Sequence, residues 1–268
     1  MASPLVRSLE PAPLPSADAF LAGDFGLDEL AEHWAWTAAR RPMSGEAMRG
    51  ADVKAQRLGV SGERLMEEAG IAVAAAARAL LATAERDTHG RILVLAGPGN
   101  NGGDGSVAAR HLAAGGHRVI VALVATESAP TTPDGRRGWE RLTGTTVERL
   151  HAATEHDVHY LLSGIEKAAL VVDALLGSGV HGPLREPIRS AVDLVARARE
   201  SGVPVLAVDT PTAVDLTSGQ PSDPVVKADA TVTFHRPKLG HLTRDGRALV
   251  GRVLVAPIGI PTRADPEA

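Results

Sequence analysis

The chain has 268 residues, 44% of them hydrophobic and 3% aromatic, and its 28 basic and 32 acidic side chains leave a formal charge of −4. That length and composition fit one large α/β domain with a core of small aliphatic side chains, and the lack of any single-sign charge block argues against nonspecific nucleic-acid binding. With no cysteine, disulfides, thiolate metal sites and cysteine nucleophiles are excluded; no apolar run approaches the about 20 residues of a membrane helix and no signal-peptide layout opens the chain, so a cytoplasmic protein is expected.

Residues 1–42 read as an N-terminal extension: Pro11, Pro13 and Pro15 lie in an Ala-rich stretch, followed by Phe20, Phe25, Trp34 and Trp36 among acidic spacers. Its aromatics are expected to pack on a main domain spanning 43–268. Helices are predicted over about 44–58 and 62–83, with Ser44 and Ser61 as N-caps. The second carries Leu65, Met66, Ala69, Val73, Ala76, Ala77 and Leu80 at helical spacing. From residue 91 strands and helices alternate: strand 91–96, helix 105–114, strand 118–124, helix 134–143, strand 145–149, helix 156–166, strand 169–173 and helix 187–201. Strands at 204–208, 230–234 and 252–256 complete the pattern. Such alternation predicts a three-layer α/β/α, Rossmann-like fold with a mainly parallel sheet and helices on both faces.

Between the first strand and its helix runs Gly97-Pro98-Gly99-Asn100-Asn101-Gly102-Gly103-Asp104-Gly105, with five glycines in nine residues. It reads as a loop whose glycines take positive φ and let backbone approach a ligand, ahead of a helix offering unpaired N–H groups to an anion. Ligands of open α/β sheets bind beyond the carboxyl ends of the strands. There the sequence gathers Asn100, Asn101 and Asp104, then Asp173, then Asp209 and Thr212.

Asp173 and Asp209 either cap the helices that follow or serve a ligand, and carboxylates beside an anion site require a neutralising cation or a chemical task. Asn101, Asp173 and Thr212 offer hard oxygens suited to an alkali or alkaline-earth ion. Gly97-x-Gly99-x-x-Gly102 also matches the dinucleotide fingerprint, with Glu127 placed for a ribose, but Pro98, the Asn pair and Asp104 crowd that loop with side chains. Lys238, in Arg236-Pro237-Lys238-Leu239-Gly240, either reaches a phosphate from the sheet edge or lies in a solvated turn.

These segments, in this order, resemble the YjeF N-terminal domain family, whose enzymes are NAD(P)H-hydrate epimerases. The resemblance covers about residues 43–261. It is strongest at Gly99-Asn100-Asn101-Gly102-Gly103-Asp104-Gly105 and continues through Asp173-Ala174-Leu175-Leu176-Gly177, Val208-Asp209-Thr210-Pro211, Pro237-Lys238-Leu239-Gly240 and Ile258-Gly259-Ile260-Pro261. It implies a substrate that is NADH or NADPH hydrated on the nicotinamide ring, interconverted between R and S epimers. It further implies that Asn100, Asn101, Gly102, Gly103 and Asp104 hold the substrate together with Gly177, Ser178, Gly179, Val180, His181, Gly182, Pro183 and Asp209. Asn101, Asp173 and Thr212 would bind a potassium ion, and Asp209 would carry the acid/base work. The implied partners are the small-molecule nucleotide, a second copy of the chain in a homodimer, and a separate dehydratase acting on the product, with no nucleic acid and no membrane.

Four features differ from the family pattern. Thr212 replaces a serine, Ala213 a glycine, Glu68 places a charge expected near the pocket, and the stretch 127–136 has no lysine where many members carry one. They leave open a nucleotide-binding or scaffold member that does not epimerise, and an enzyme repurposed for another small molecule.

Overall fold

The strands, apart from one at the edge, are short aliphatic runs buried on both faces, as a parallel sheet covered by helices requires. In the computed structural model, which describes residues 10–84, 90–177 and 183–265, they are β1 (Ile92–Ala96), β2 (Val119–Val124), β3 (Glu148–Ala152), β4 (Leu170–Ala174), β5 (Val205–Val208), β6 (Ala230–Phe234) and β7 (Arg252–Ala256). Every pairing among them is parallel, in the order β3-β2-β1-β4-β5-β6-β7. The exception, β3, is one of the two edge strands, Glu-Arg-Leu-His-Ala; it is largely exposed and lies three residues beyond its predicted position, because no apolar run marks it.

The helices are α1 (Leu27–His33), α2 (Ala35–Ala38), α3 (Gly45–Arg57), α4 (Gly62–Thr83), α5 (Asn100–Ala114), α6 (Pro133–Glu140), α7 (Glu155–Leu162), α8 (Ile188–Glu200), α9 (Leu239–Leu242) and α10 (Arg244–Arg247). Ser44 and Ser61 cap α3 and α4 as predicted, each hydroxyl accepting a backbone N–H three residues on. The alternation of side chains along each strand divides the core. Ile92, Val94 and Ala96 pack with Val73, Ala76 and Ala77 of α4 on one face, while Leu93 and Leu95 pack with Val158 of α7 and Val192 and Val195 of α8 on the other. No helix among the described residues is long and apolar enough to cross a membrane.

The N-terminal segment joins the first of these cores. Leu21, Phe25, Leu30 and Trp34 are buried in it, and Phe20 stacks between Phe25 and His33. Glu68, expected near the pocket, turns instead toward this segment: its carboxylate accepts the Ser16 N–H at 2.9 Å and the Ser16 hydroxyl at 2.6 Å. The reason is helical phase, since Leu65, Met66 and Ala69 occupy the cavity-facing side of α4.

The glycine-rich stretch is also corrected. Helix α5 starts at Asn100, five residues earlier than predicted, and none of Gly97, Gly99, Gly102, Gly103 and Gly105 has a positive φ. Most of these glycines serve close approach. A methyl on Gly97 would strike the Leu175 carbonyl, one on Gly102 the Gly97 carbonyl, one on Gly103 the Met66 side chain, and one on Gly105 the Ala174 side chain. The ends of β1 and β4 and the first turn of α5 are thereby pressed together, and this packing overrides the poor helix propensity of glycine.

Candidate active site

The strand order reverses between β1 and β4, so the segments that follow them diverge and leave a crevice at the carboxyl edge of the sheet. A cavity of about 520 Å³ opens there. Met48, Arg49, Asp52 and Gln56 of α3 line one side; Asn100, Asn101 and Asp104 of α5, Leu175 to Gly177 beyond β4, and Asp209 beyond β5 line the other. A larger open groove, about 990 Å³, lies at the amino ends of β1 and β2 around Arg91, Arg118 and Lys167, where this topology does not assemble catalytic groups.

Beneath the cavity, Asp173 is fully buried. Its carboxylate accepts the Thr212 N–H and the Thr212 hydroxyl, both at 2.7 Å, and the Leu175 N–H at 3.2 Å. The Thr212 oxygen in turn accepts the Leu176 N–H at 3.1 Å. Asp173 is thus a cross-link between the β4 and β5 loops. No cationic side chain among the described residues pairs with it, and burial pushes its pKa up to about 6 against the lowering effect of the Thr212 and Leu175 hydrogen bonds. Asn101 sits over Gly177, where a side chain would meet its amide oxygen, and its buried amide nitrogen lacks a partner.

Asp209 is held differently. Its φ is +62°, a left-handed geometry that Asp tolerates better than most residues, and its N–H is anchored to the Val232 carbonyl at 2.8 Å. The neighbouring strand then supplies a relay. Lys238 Nζ donates to Thr233 Oγ1 at 2.8 Å, and Thr233 Oγ1 donates to Asp209 Oδ1 at 2.8 Å, with Lys238 Nζ itself 3.6 Å from that oxygen. Both sequence readings of Lys238 are corrected here, for it is completely buried and also donates to the Phe234 and Arg236 carbonyls. Its burial comes from the segment before α3, which pairs alongside it: Met43 N–H bonds to the Pro237 carbonyl and Leu239 N–H to the Met43 carbonyl, each at 2.9 Å.

Asp104 has neither device. Among the described residues no hydrogen-bond donor is recorded on its carboxyl, which loss of water and the nearby charges of Asp209, Asp52 and Asp134 hold well above the usual carboxylate range. Arg49, exposed, is the one Lys or Arg among the described residues that line the cavity.

The residues predicted from sequence therefore separate into groups. Asn100, Asn101, Asp104, Gly177 and Asp209 line the cavity, and Asp173 with Thr212 lies directly below. Gly102 and Gly103 are buried inside α5 and shape it. Pro183 is exposed away from the lining, and Ser178, Gly179, Val180, His181 and Gly182 lie outside the described residues. Glu127, exposed after β2, does not line the cavity. Sequence reasoning missed the α3 wall, although Met48, Asp52 and Gln56 recur at helical spacing. It also missed the Thr233–Lys238 relay, whose sequence signal was a pair of threonines, Thr231 and Thr233, in a fully buried strand.

The family model for YjeF-related protein N-terminus matches residues 62–240. The chain is 40% identical over 215 residues to the bifunctional NAD(P)H-hydrate repair enzyme Nnr of Pyrobaculum aerophilum, covering 80% of this chain and 41% of that protein. It thus spans about two fifths of such bifunctional relatives. With the NAD(P)H-hydrate epimerase of Cenarchaeum symbiosum it shares 38% identity over 203 residues, covering 75% of this chain and 87% of the relative. The crystal structure of the yeast protein YNL200c superposes with a TM-score of 0.65 at 29% identity, covering 75% of this chain and 82% of the other. The chain belongs to the family described as YjeF-related protein N-terminus.

Proposed function

We propose that this protein is an epimerase that interconverts the R and S forms of hydrated NADH or NADPH. The observation that carries the reading is the cavity itself, in which the α5 amino end and the carboxyl groups of Asp104 and Asp209 converge on one small space. The relative named NAD(P)H-hydrate epimerase, matched over most of its length, supports the same reading. Inversion at the hydrated ring carbon proceeds by loss of the hydroxyl to an iminium cation and return of water on the other face. A wall of aspartates favours such a cation electrostatically, and a carboxyl group is suited to the proton transfers. The substrate's phosphates are assigned to the α5 amino end, where the first N–H groups lack helical partners, and to Arg49.

A potassium ion fits the residues below the cavity. Asp173 is a single buried carboxylate without a countercharge among the described residues, and the Thr212 hydroxyl and the Asn101 amide oxygen add neutral hard ligands. Asp173, Thr212 and Asn101 would hold the ion, which when bound supplies the positive charge that Asp173 lacks. The protein is further proposed to act in the cytoplasm, as a homodimer, upstream of a separate dehydratase; the repair enzymes it matches are bifunctional and more than twice as long as the matched region.

The test is direct. Incubated with R-NADHX, the protein should accelerate formation of the S epimer over the uncatalysed rate. An intact, folded protein without that acceleration overturns the reading.

A further inference from the structure

Asp104 and Asp209 reach one cavity from opposite sides of β4, one on α5 after β1 and the other after β5. Their surroundings differ in kind. Asp209 Oδ1 receives a hydrogen bond from Thr233, which is itself backed by a buried ammonium 3.6 Å from the same oxygen. Asp104 receives no recorded donor among the described residues, and its charged neighbours Asp52, Asp134 and Asp209 are all acids. The contrast is one of hydrogen bonding: the Asp209 oxygen is an acceptor already held by a donor, whereas the Asp104 carboxyl is left free to donate a proton.

We infer that the epimerase uses two carboxyl groups, Asp104 as the acid on one face of the nicotinamide ring and Asp209 as the base on the other, with Lys238 and Thr233 positioning Asp209 for that role. This rests on the functional reading above. In the first step the C–O bond at the hydrated carbon breaks, the ring nitrogen lone pair forms the C=N bond, and the Asp104 proton passes to the departing oxygen, which leaves as water. In the second, a water oxygen bonds to the same carbon from the opposite face, the C=N π electrons return to nitrogen, and the excess proton passes to Asp209. The reverse reaction begins from the opposite protonation pattern, and exchange with solvent resets the pair. Burial pushes the Asp104 carboxyl upward, consistent with its carrying the proton at rest. Lys238 has donors committed to Thr233 Oγ1, the Phe234 carbonyl and the Arg236 carbonyl, so it acts through Asp209 rather than on substrate.

The assignment makes a stereochemical prediction testable in ¹⁸O-labelled water with each pure epimer of NADHX, read by mass spectrometry and corrected for the enzyme-free rate. Wild type should interconvert the epimers and place label in both. Asp104→Asn and Asp209→Asn should each slow interconversion by about 100-fold or more. Each variant should still exchange the hydroxyl of one epimer with retention, through its remaining carboxyl, and the two variants should choose opposite epimers. Interconversion at the wild-type rate in Asp104→Asn, or exchange in the same epimer or in neither for the two variants, overturns the assignment. Failure of wild type to interconvert the epimers would instead overturn the functional reading. Asp104→Asn removes an unpaired acid and should fold with an unchanged or higher melting temperature; Asp104→Ser poses the same question should it not. Lys238→Met should lower kcat far more than it raises KM, with Lys238→Arg restoring part of the loss. Equal changes in both parameters would reduce Lys238 to a structural role.

Discussion

Two chain segments meet at the cavity, and they use backbone freedom in opposite ways. The stretch from Gly97 to Gly105 is dense in glycine, yet all of its glycines have negative φ; four of them are required because other atoms lie where a side chain would be. The segment from Asp209 to Asp215 contains no glycine, yet it places Asp209 at φ +62° and Ala213 at φ +74°. Glycine content thus reports contact in the first segment and says nothing of strain in the second. Left-handed geometry at a residue with a side chain persists where surrounding structure enforces it, and such sites gather where chemistry is done. Here the enforcing bonds are visible: Asp209 N–H to Val232, Val214 N–H to Pro211 and Val226 N–H to Thr212.

If the second segment bends for chemistry, removing its acid should abolish activity and leave the fold alone. Asp209→Asn keeps a residue that tolerates the left-handed region, so its melting temperature should stay near that of wild type while kcat for interconversion drops by about 10²- to 10⁴-fold. A full activity with an intact fold would break the comparison at its strongest point. The first segment should respond in the reverse sense. In Gly102→Ala the new methyl meets the Gly97 backbone, which cannot swing away as a side chain can, so stability should fall by about 3 kcal/mol in urea denaturation. Unchanged stability would mean that α5 shifts freely and that its glycines serve another purpose.

The sequence carried most of the sheet because buried parallel strands read as unbroken aliphatic runs, as Leu170 to Val172 and Val205 to Val208 do. Where that signal is missing, as in Glu148–Ala152, the strand was misplaced. The glycine stretch reads as a loop because glycine frees φ, and only the approach of Leu175, Met66 and Ala174 explains why these glycines stand in a helix instead. The gathering of Asn101, Asp173 and Thr212 at one edge of the sheet was legible, since each lies at or just beyond a strand end. Lys238 was not. Its burial depends on backbone pairing with Met43, nearly two hundred residues earlier, and no local pattern encodes that contact.

Close behind the second segment, α9 offers a smaller test. His241 is buried there with both ring nitrogens unpartnered, and Gly240 beside it packs against the backbone of Asp215 and Leu216. Burial, together with the Lys238 charge, lowers its pKa to about 4. The unfolded chain therefore takes up a proton near pH 6.5 that the native state refuses until about pH 4, and stability is lost as pH falls through that window. His241→Leu, which removes both the unpaired nitrogens and the titration, should stabilise the protein at pH 7.5 by about 1 kcal/mol. Its advantage should widen by about 2 kcal/mol at pH 5. His235, lowered to about 4 by burial and by Arg40, retains its own share in both proteins and cancels from the difference.

The smallest effect is the sharpest test of the contrast. Ala213 holds a left-handed φ in a position where the family commonly has glycine, and a methyl there costs roughly 1–2 kcal/mol of backbone strain. Ala213→Gly relieves that strain, but glycine also widens the unfolded ensemble by about 0.4–1 kcal/mol, and the methyl of Ala213 packs at the margin of the core around Val192 and Val226. These terms nearly cancel, leaving an expected gain of about 0.5 kcal/mol, seen as a higher denaturant midpoint at unchanged slope. A loss of stability would show that the methyl's packing outweighs the strain, so that alanine is the better residue for this turn despite its φ. A gain accompanied by slower epimerisation would show that the methyl helps to hold Thr212 and the Asp173 cross-link in register, and that the strain in this segment is retained for the site.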